Sequence, residues 1–408
     1  MRAVFFLTVV LFLISCPVFA DFSTFYDNIT PEEEQLDPNV GLTVFPTLLV
    51  PIGGKYEGMG TAFTAVANDA GFLEANPSAS SLLEQTELVF SHNNWIADSN
   101  MEGVVYTIRF DDLGIGFGGK FLYVPFTEYD TWGERVSKGY YTETIATMNV
   151  SYNFFSSYYF YGLAVGANIK LAYREVPKAI EPDQSAFGAM ADVGVLTRFN
   201  LLKFYSSRSK NFSVGAVVKN LGPYILGEPL PTETTFGIAY SPIRPLTISF
   251  DLTIPFSFNP DLYPAEKVNI ATGADIAVTN FLSIQTGFKY RGGNPKISLG
   301  STVNLRKIRF VVNYTLDLTT STNSVDHFSI QAQLKMGDRG RAALQAKIDD
   351  YYTRGLEAYA EGRLQEAIDN WNTVLELDPD FQPAAEMKRT ARKAINLQEE
   401  MESIQEIE

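Results

Sequence analysis

Residues 53–80 read GGKYEGMGTAFTAVANDAGFLEANPSAS, and they form the one long run of the chain that does not alternate like a membrane strand. The glycines Gly53, Gly54, Gly58 and Gly60 predict a small-residue helix opening after them, roughly Thr61 to Ala70. A turn is expected to close the stretch at Asn76-Pro77, where the residue before proline is biased away from the α conformation. A helix faced with Ala, Thr and Gly fits a narrow space. Taken alone, the stretch reads equally well as a buried packing helix of a soluble domain.

The sequence around it decides between those readings. From about Thr86 to Met336, some fourteen segments are rich in β-branched and aromatic residues with period-2 character. They are expected near 86–97, 102–110, 113–124, 139–154, 159–174, 187–199, 211–220, 232–240, 246–256, 266–278, 281–290, 295–304, 308–318 and 325–336. These lengths suit strands tilted across a bilayer. Ile270-Ala-Thr-Gly-Ala-Asp-Ile and Phe310-Val-Val-Asn-Tyr-Thr-Leu carry small or polar residues on one face and apolar ones on the other, as a water-lined membrane wall requires.

The connections sort by parity. Short turns are expected at Asp111-Asp112, 155–158, 241–245, Thr279-Asn280 and 305–307, and long loops at Pro125–Lys138, 175–186, 221–231 and 257–265. Outer-membrane barrels show this asymmetry between periplasmic and outer ends, whereas a soluble sandwich has no reason for it. Two connections break the rule: Asn200–Lys210 is long where it should be short, and Arg291–Asn294 is short where it should be long. An even strand count returns the C-terminus to the periplasm.

Composition points the same way. Charged residues make up 19% and aromatics 13%, with 30 Phe and 21 Tyr. Barrels use such residues in girdles at both membrane interfaces. A net charge of −15 excludes a nucleic-acid partner, because phosphate neutralisation needs a basic face.

Residues 1–20 read as a signal peptide: Arg2, an apolar Val4–Ile14, then Val18-Phe19-Ala20 before Asp21. Leu13-Ile14-Ser15-Cys16 also has the form of a lipobox, so Cys16 is either lipidated or removed with the leader. Both readings exclude an internal disulfide. Thr30-Pro-Glu-Glu-Glu34 reads as a polar turn or helix start. The proline-bounded run Leu42–Val50 is expected as a lumenal strand, with a disordered leader as the alternative. The organisation is then signal 1–20, plug 21–85, barrel 86–336 and tail 337–408.

The tail changes character. From Ala342 to Ile407 it is helical and charged, and Tyr351, Gly355, Tyr359, Gly362, Ala367, Trp371 and Pro379 have the spacing of one tetratricopeptide repeat. Helices are expected near Ile348–Glu361, Leu364–Leu377 and Pro383–Ile404. A single repeat lacks stacking neighbours, so it is expected to lean on the barrel rim or on a periplasmic protein partner. The plainer alternative is a solubilising tail.

No catalytic constellation stands out. His92 and His327 fall in the first and last expected strands and read as lumen or ladder residues. No metal site, cofactor or cysteine nucleophile can be assembled, so an enzyme is not expected.

The run Gly54-Lys-Tyr-Glu-Gly58-Met59-Gly60-Thr-Ala62-Phe63-Thr-Ala-Val-Ala-Asn68-Asp69, closed by Asn76-Pro77, resembles the N-terminal signature of FadL-like outer-membrane proteins, which include fatty-acid and aromatic-hydrocarbon channels and PorV-type secretion proteins. It departs from the pattern at Asn68 and at Ser78-Ala79-Ser80. The resemblance implies a barrel of fourteen strands with a plugged lumen in the outer membrane of a diderm bacterium. It implies uptake of a hydrophobic ligand such as a long-chain fatty acid, with lateral exit into outer-membrane lipid. Plug and gating roles then fall on Gly58, Gly60, Phe63, Asp69, Asn76 and Pro77. Pro125, which cannot donate to a ladder, marks either a lateral opening or a strand end. A PorV-type scaffold recruiting periplasmic proteins through residues 342–408 is the competing expectation.

Overall fold

The computed structural model describes residues 36–405 except 96–97, 178–182, 206, 208 and 319–325. The leader 1–20, Cys16 and Thr30–Glu34 lie outside the described residues.

Fourteen strands form one antiparallel sheet closed on itself. In chain order they are β1 (Glu87–Asn94), β2 (Asn100–Phe110), β3 (Leu113–Tyr129), β4 (Arg135–Phe154), β5 (Leu163–Glu175), β6 (Ala186–Phe199) and β7 (Phe212–Leu221). There follow β8 (Glu233–Ile243), β9 (Leu246–Pro255), β10 (Asn269–Ala277), β11 (Leu282–Arg291), β12 (Asn294–Asn304), β13 (Ile308–Asp317) and β14 (His327–Lys335). Each strand pairs with its sequence neighbours, and β1 pairs with β14 from Glu87↔Lys335 to Asn94↔Phe328. Closure removes every sheet edge, so the backbone groups of the wall are satisfied without water.

Side-chain alternation sets the character of the two faces. In β6, Gly188, Met190, Asp192 and Gly194 are buried while Phe187, Val193 and Val195 are exposed on the outer face. Around the wall, the outer face carries Phe90, Phe117, Met148, Ile169, Phe236 and Leu299, whereas Asn149, Asn168, Asp251, Gln285, Asn313 and Ser329 are buried within. A soluble barrel has the reverse arrangement; a wall apolar outside and polar inside belongs in a bilayer. Among the described residues no helix is long and apolar enough to cross a membrane.

The wall runs past Pro125. Strand β3 continues to Tyr129, and its pairing with β4 is in register from Leu113↔Tyr152 to Glu128↔Ser137, including Pro125↔Tyr140. Pro125 therefore neither ends the strand nor opens a gap between β3 and β4. On its other side β2 has already finished, with Asn100 opposite Tyr123, so the missing N–H leaves no ladder bond unmade. The long loop expected at Pro125–Lys138 shrinks to 130–134 accordingly.

Residues 44–83 run inside the barrel as a chain of turns. The regular pieces are a 3₁₀ turn at Pro46–Leu49, helix α1 (Gly54–Gly58), helix α2 (Phe72–Ala75) and a 3₁₀ stretch Pro77–Leu82. Two expectations fail here: Leu42–Val50 contains no strand, and Thr61–Ala70 is not a helix. The reason is competition from the wall for backbone groups. The Phe63 and Thr64 N–H groups donate to Asp251 Oδ2 at 3.1 and 3.0 Å, while the carbonyls of Ala62 and Ala65 accept from Ser249 Oγ (2.6 Å) and Ser213 Oγ (2.7 Å). Those groups are spent on the wall, and Thr61 and Ala67 take positive φ of 67° and 30°, which a right-handed helix cannot contain.

The tail folds as helices α3 (Arg341–Ala360), α4 (Leu364–Leu377) and α5 (Gln382–Gln405) around Trp371, Ile348 and Ala367. Helix α3 starts earlier than expected because Asp338 caps it, accepting from the N–H groups of Gly340 and Ala342 at 3.0 and 2.7 Å. Gly355 lets α3 close on Trp371: a Cβ there would lie 2.3 Å from the indole nitrogen. The Tyr359 ring packs 5.9 Å from Trp371, Tyr351 borders the same cluster, Gly362 turns the chain with φ 80°, and Pro379 lies in the turn between α4 and α5.

The tail meets the barrel end at which the chain leaves β14. Arg341 donates to the carbonyls of Leu83 (3.2 Å) and Glu84 (2.7 Å), Phe381 packs edge-on to Tyr158 at 5.0 Å, and the Tyr159 hydroxyl reaches Glu386 at 3.3 Å. This tail end carries the short connections 111–112, 244–245, 278–281 and 305–307, and the longer 155–162 and 200–211. The opposite end, the loop end, carries 176–185, 222–232 and 256–268.

Candidate functional site

The six expected plug residues all lie on the inner segment, within the lumen. Gly58 has helical backbone and no positive φ, but a Cβ on it would meet Asn313 Oδ1 at 2.7 Å. Gly60 has φ 62°, and its Cβ would come within 2.7 Å of the Phe288 nitrogen. Phe63 is fully buried, edge-on to Tyr56 at 6.2 Å. Asp69 accepts from the Gly71 N–H at 2.9 Å, with Arg309 at 3.9 Å from its other oxygen. Asn76 ties three places together: it donates to the carbonyls of Thr64 and of Val195 in the wall, both at 3.0 Å, and accepts from the Ser78 hydroxyl at 2.7 Å. The Pro77 carbonyl accepts from Asn149 at 2.9 Å.

Ion pairs add two clasps. Lys120 on β3 pairs with Glu74 and donates to the carbonyls of Thr47 (3.1 Å) and Val50 (2.8 Å); Lys55 meets Asp275 of β10 at 2.7 Å. Two internal spaces deeper in the lumen are small, about 30 Å³ each, around Tyr56 and Thr235 and around Leu73 and Thr147.

A large lumenal space lies at the loop end, a cavity of about 500 Å³. That is the size of a small-molecule site, roughly 300–1,000 Å³. Its apolar lining includes Leu36, Val40, Leu49, Val50 and Trp95. Its polar lining includes Lys289, Arg291, Lys296 and His327, with Glu57 and Gly60 contributing from the inner segment. Period-2 geometry explains the cations of β11, since Gln285, Gly287, Lys289 and Arg291 follow one another on the inward face of that strand.

The cations differ in their partners. Arg291 makes a two-pronged pair with Glu266 at 2.8 and 2.9 Å, and Lys296 pairs with Asp317. Lys289 makes no ion pair or hydrogen bond among the described residues. His327 stands 3.8 Å from Asp317 and stacks 6.2 Å from Trp95, whereas His92 turns outward to Glu102 and Asn94 at 2.8 and 2.7 Å. Glu57 is buried, accepting from Ser329 Oγ at 2.7 Å and Thr315 Oγ1 at 3.1 Å. Burial pushes its carboxyl up to about 7, with the two hydroxyls pulling the other way.

Of the expected site residues, Gly60 alone borders this cavity. Lys289, Glu57 and Trp95 were not singled out by sequence. The available signal was a lysine at an inward position of an otherwise small and polar strand face.

The chain matches the model of the uncharacterised protein family UPF0164 over residues 28–338, which takes in the inner segment and all fourteen strands. The chain belongs to the UPF0164 family. Two UPF0164 proteins of Treponema pallidum (strain Nichols) are 28% identical over 379 residues, covering 88% of this chain and 85% of theirs, and 26% identical over 384 residues, covering 85% and 74%. Among solved structures, this UPF0164 member is similar to the Pseudomonas putida toluene transporter TodX, with 14% identity, 70% of this chain and 97% of that chain covered, and a TM-score of 0.47. It is also similar to the Acinetobacter baumannii outer membrane protein Omp33, with 11% identity, coverage of 62% and 98%, and a TM-score of 0.34.

Proposed function

We propose that this UPF0164 member is an outer-membrane barrel that takes up amphiphilic hydrophobic molecules carrying an acid group, fatty acids being the simplest class. The observation that carries this reading is the mouth cavity, whose lining combines Leu36, Val40, Leu49, Val50 and Trp95 with Lys289, which has no ion-pair partner among the described residues. An apolar tail gains roughly 25 cal/mol per Å² on leaving water, and a carboxylate gives the lysine the partner it lacks. The apolar outer face and the alternating loop lengths support the membrane setting, with the loop end outward and the tail in the periplasm.

The filled lumen requires a movement for passage. A molecule of that size cannot traverse spaces of about 30 Å³, so the inner segment shifts, or the ligand leaves through the wall after the segment rearranges. In this reading Gly58, Gly60, Phe63, Asp69, Asn76 and Pro77 set the resting shape of the plug. The test is equilibrium binding of a fluorescent long-chain fatty acid to the purified protein in detergent, compared with Lys289→Met. Equal binding by the two forms overturns the proposal.

The tail supports a second reading, a scaffold. Its Tyr351, Gly355, Tyr359, Gly362, Ala367, Trp371 and Pro379 form one packed helical hairpin, of tetratricopeptide type in this reading, closed by α5. A scaffold retains periplasmic or exported proteins through residues 342–408 and shows no fatty-acid binding; pull-down with and without the tail separates the two.

A further inference from the structure

The connection 200–211 is the longest at the tail end, where the other turns are mostly two to four residues. It lies over the outside of the wall, because the hydroxyl of Tyr240, an outward-facing residue of β8, donates to the Leu202 carbonyl at 2.9 Å. Leu201, Leu202 and Phe204 are exposed on it, Phe204 at 75%. Cations sit among them. Lys203 lies 5.2 Å and Arg244, from the next turn, 6.0 Å from the Tyr205 ring, and Lys210 donates to the Tyr159 carbonyl at 3.1 Å. In a chain of net charge −15, residues 199–213 and 240–249 contain Lys203, Arg208, Lys210 and Arg244 and no Asp or Glu.

Directly above this turn the wall carries a groove. Strand register places Phe199, Phe212, Tyr240 and Ile248 in one outward row, with ring centroids 5.0 and 6.0 Å apart from Phe199 to Phe212 to Tyr240. The next two rows toward the loop end are Thr197, Val214, Ile238, Phe250 and then Val195, Ala216, Phe236, Leu252. These rows enclose a lipid-facing groove of about 370 Å³, floored at Ala216, Gly215 and Gly237, where side chains are smallest. Aromatic rows of this kind mark the headgroup level of a barrel.

We infer that this face binds an anionic phospholipid of the periplasmic leaflet, one acyl chain lying in the groove and the phosphate resting against Lys203 and Arg244. The apolar residues of the turn dip into the interface, and its cations stand at phosphate depth, beside the aromatic row that ends the groove. The inference rests on the membrane-barrel reading and is independent of what enters the lumen. Lys203 keeps its place by donating to the carbonyls of Ser207 and Ser209, and no carboxylate among the described residues pairs with it.

The test is native mass spectrometry of the full-length protein released from micelles containing dioleoylphosphatidylglycerol or dioleoylphosphatidylcholine. The wild type should retain the glycerol lipid in preference. Lys203→Gln with Arg244→Gln should reduce that preference about 5-fold for each charge removed, as for cations near an anionic surface. Ala216→Trp, which fills the groove, should reduce retention of both lipids. Both substituted sites face outward, so heat-modifiable migration and fatty-acid binding through Lys289 should be unchanged. Equal retention of the two lipids by the wild type, an undiminished preference in the double variant, or full retention by Ala216→Trp overturns the proposal. Loss of fatty-acid binding alone would sink the transport reading and leave this one standing.

Discussion

The backbone of Gly60 lies directly on the backbone of Gly287: a Cβ built on Gly287 would stand 2.0 Å from the Gly60 nitrogen, and one built on Gly60 would stand 3.0 Å from the Gly287 carbonyl carbon. Gly287 is paired across the ladder with Gly273, whose own Cβ would meet the Met59 carbonyl oxygen at 2.6 Å. The wall is therefore hollowed at β10 and β11 to receive residues 59–60. Because the close contact is between backbones, no side-chain rearrangement can relieve it.

Gly58→Val with Gly60→Val should displace the inner segment and leave the barrel assembled. A β-branched residue at φ 62° is strained by about 1–3 kcal/mol even before the clash with β11. Wild-type membrane levels, heat-modifiable migration and higher ion conductance in planar bilayers are the expected results. Unchanged conductance together with unchanged fatty-acid uptake would show that residues 58–60 gate nothing.

Asp251→Ala tests the same segment from the wall side. It strands the Phe63 and Thr64 N–H groups in a buried site, at a cost of about 1–3 kcal/mol for each donor left unmade. Hydrogen exchange should accelerate at residues 61–67 and not in the β ladder. Uniform acceleration through the ladder would mean that segment and wall unfold as one unit.

Lys289→Met should weaken fatty-acid binding on the order of 10-fold, the worth of one charge-assisted hydrogen bond, without raising conductance. Fatty alcohol of the same chain length should bind wild type and variant alike. A variant that loses both ligands would instead point to a damaged cavity.

Glu57 gives a pH dependence whose sign follows from its carboxyl being held at about 7, against an ordinary value of 4.5. Between those two values the docked segment binds more protons than the undocked one, so docking is strongest below about 4.5 and weakens as pH rises through about 7. The full effect is at most roughly 3 kcal/mol. Protease resistance of residues 54–60 should fall from pH 5 to pH 8 in the wild type and stay level in Glu57→Gln.

In the tail, Gly355→Leu should open the α3–α4 contact by driving a side chain into Trp371, lowering the helical signal of residues 342–408 while the barrel still assembles. Tryptophan fluorescence shifted to the red is the direct readout, since Trp371 is fully buried.

The sequence by itself determined the wall. Alternation along Ile270–Ile276 or Phe310–Leu316 is a local property with a period of two, so every strand could be read without knowing its neighbours, and each observed strand falls on an expected one. The helical tail was legible for the same reason, its spacing from Tyr351 to Pro379 being set within one hairpin. The inner segment was not, because its conformation is dictated by groups far along the chain. Asp251, Ser249 and Ser213 claim the backbone of residues 62–65, and a helix that composition favours at Thr61–Ala70 cannot form once those bonds are made. Pro125 likewise looks like a break from its own residue type and is harmless only because β2 ends before reaching it. Lys289 completes the contrast. Its inward direction follows from strand period, but its lack of a partner depends on where Glu266, Asp317 and Glu57 are carried by three other parts of the fold, and tertiary structure alone decides that.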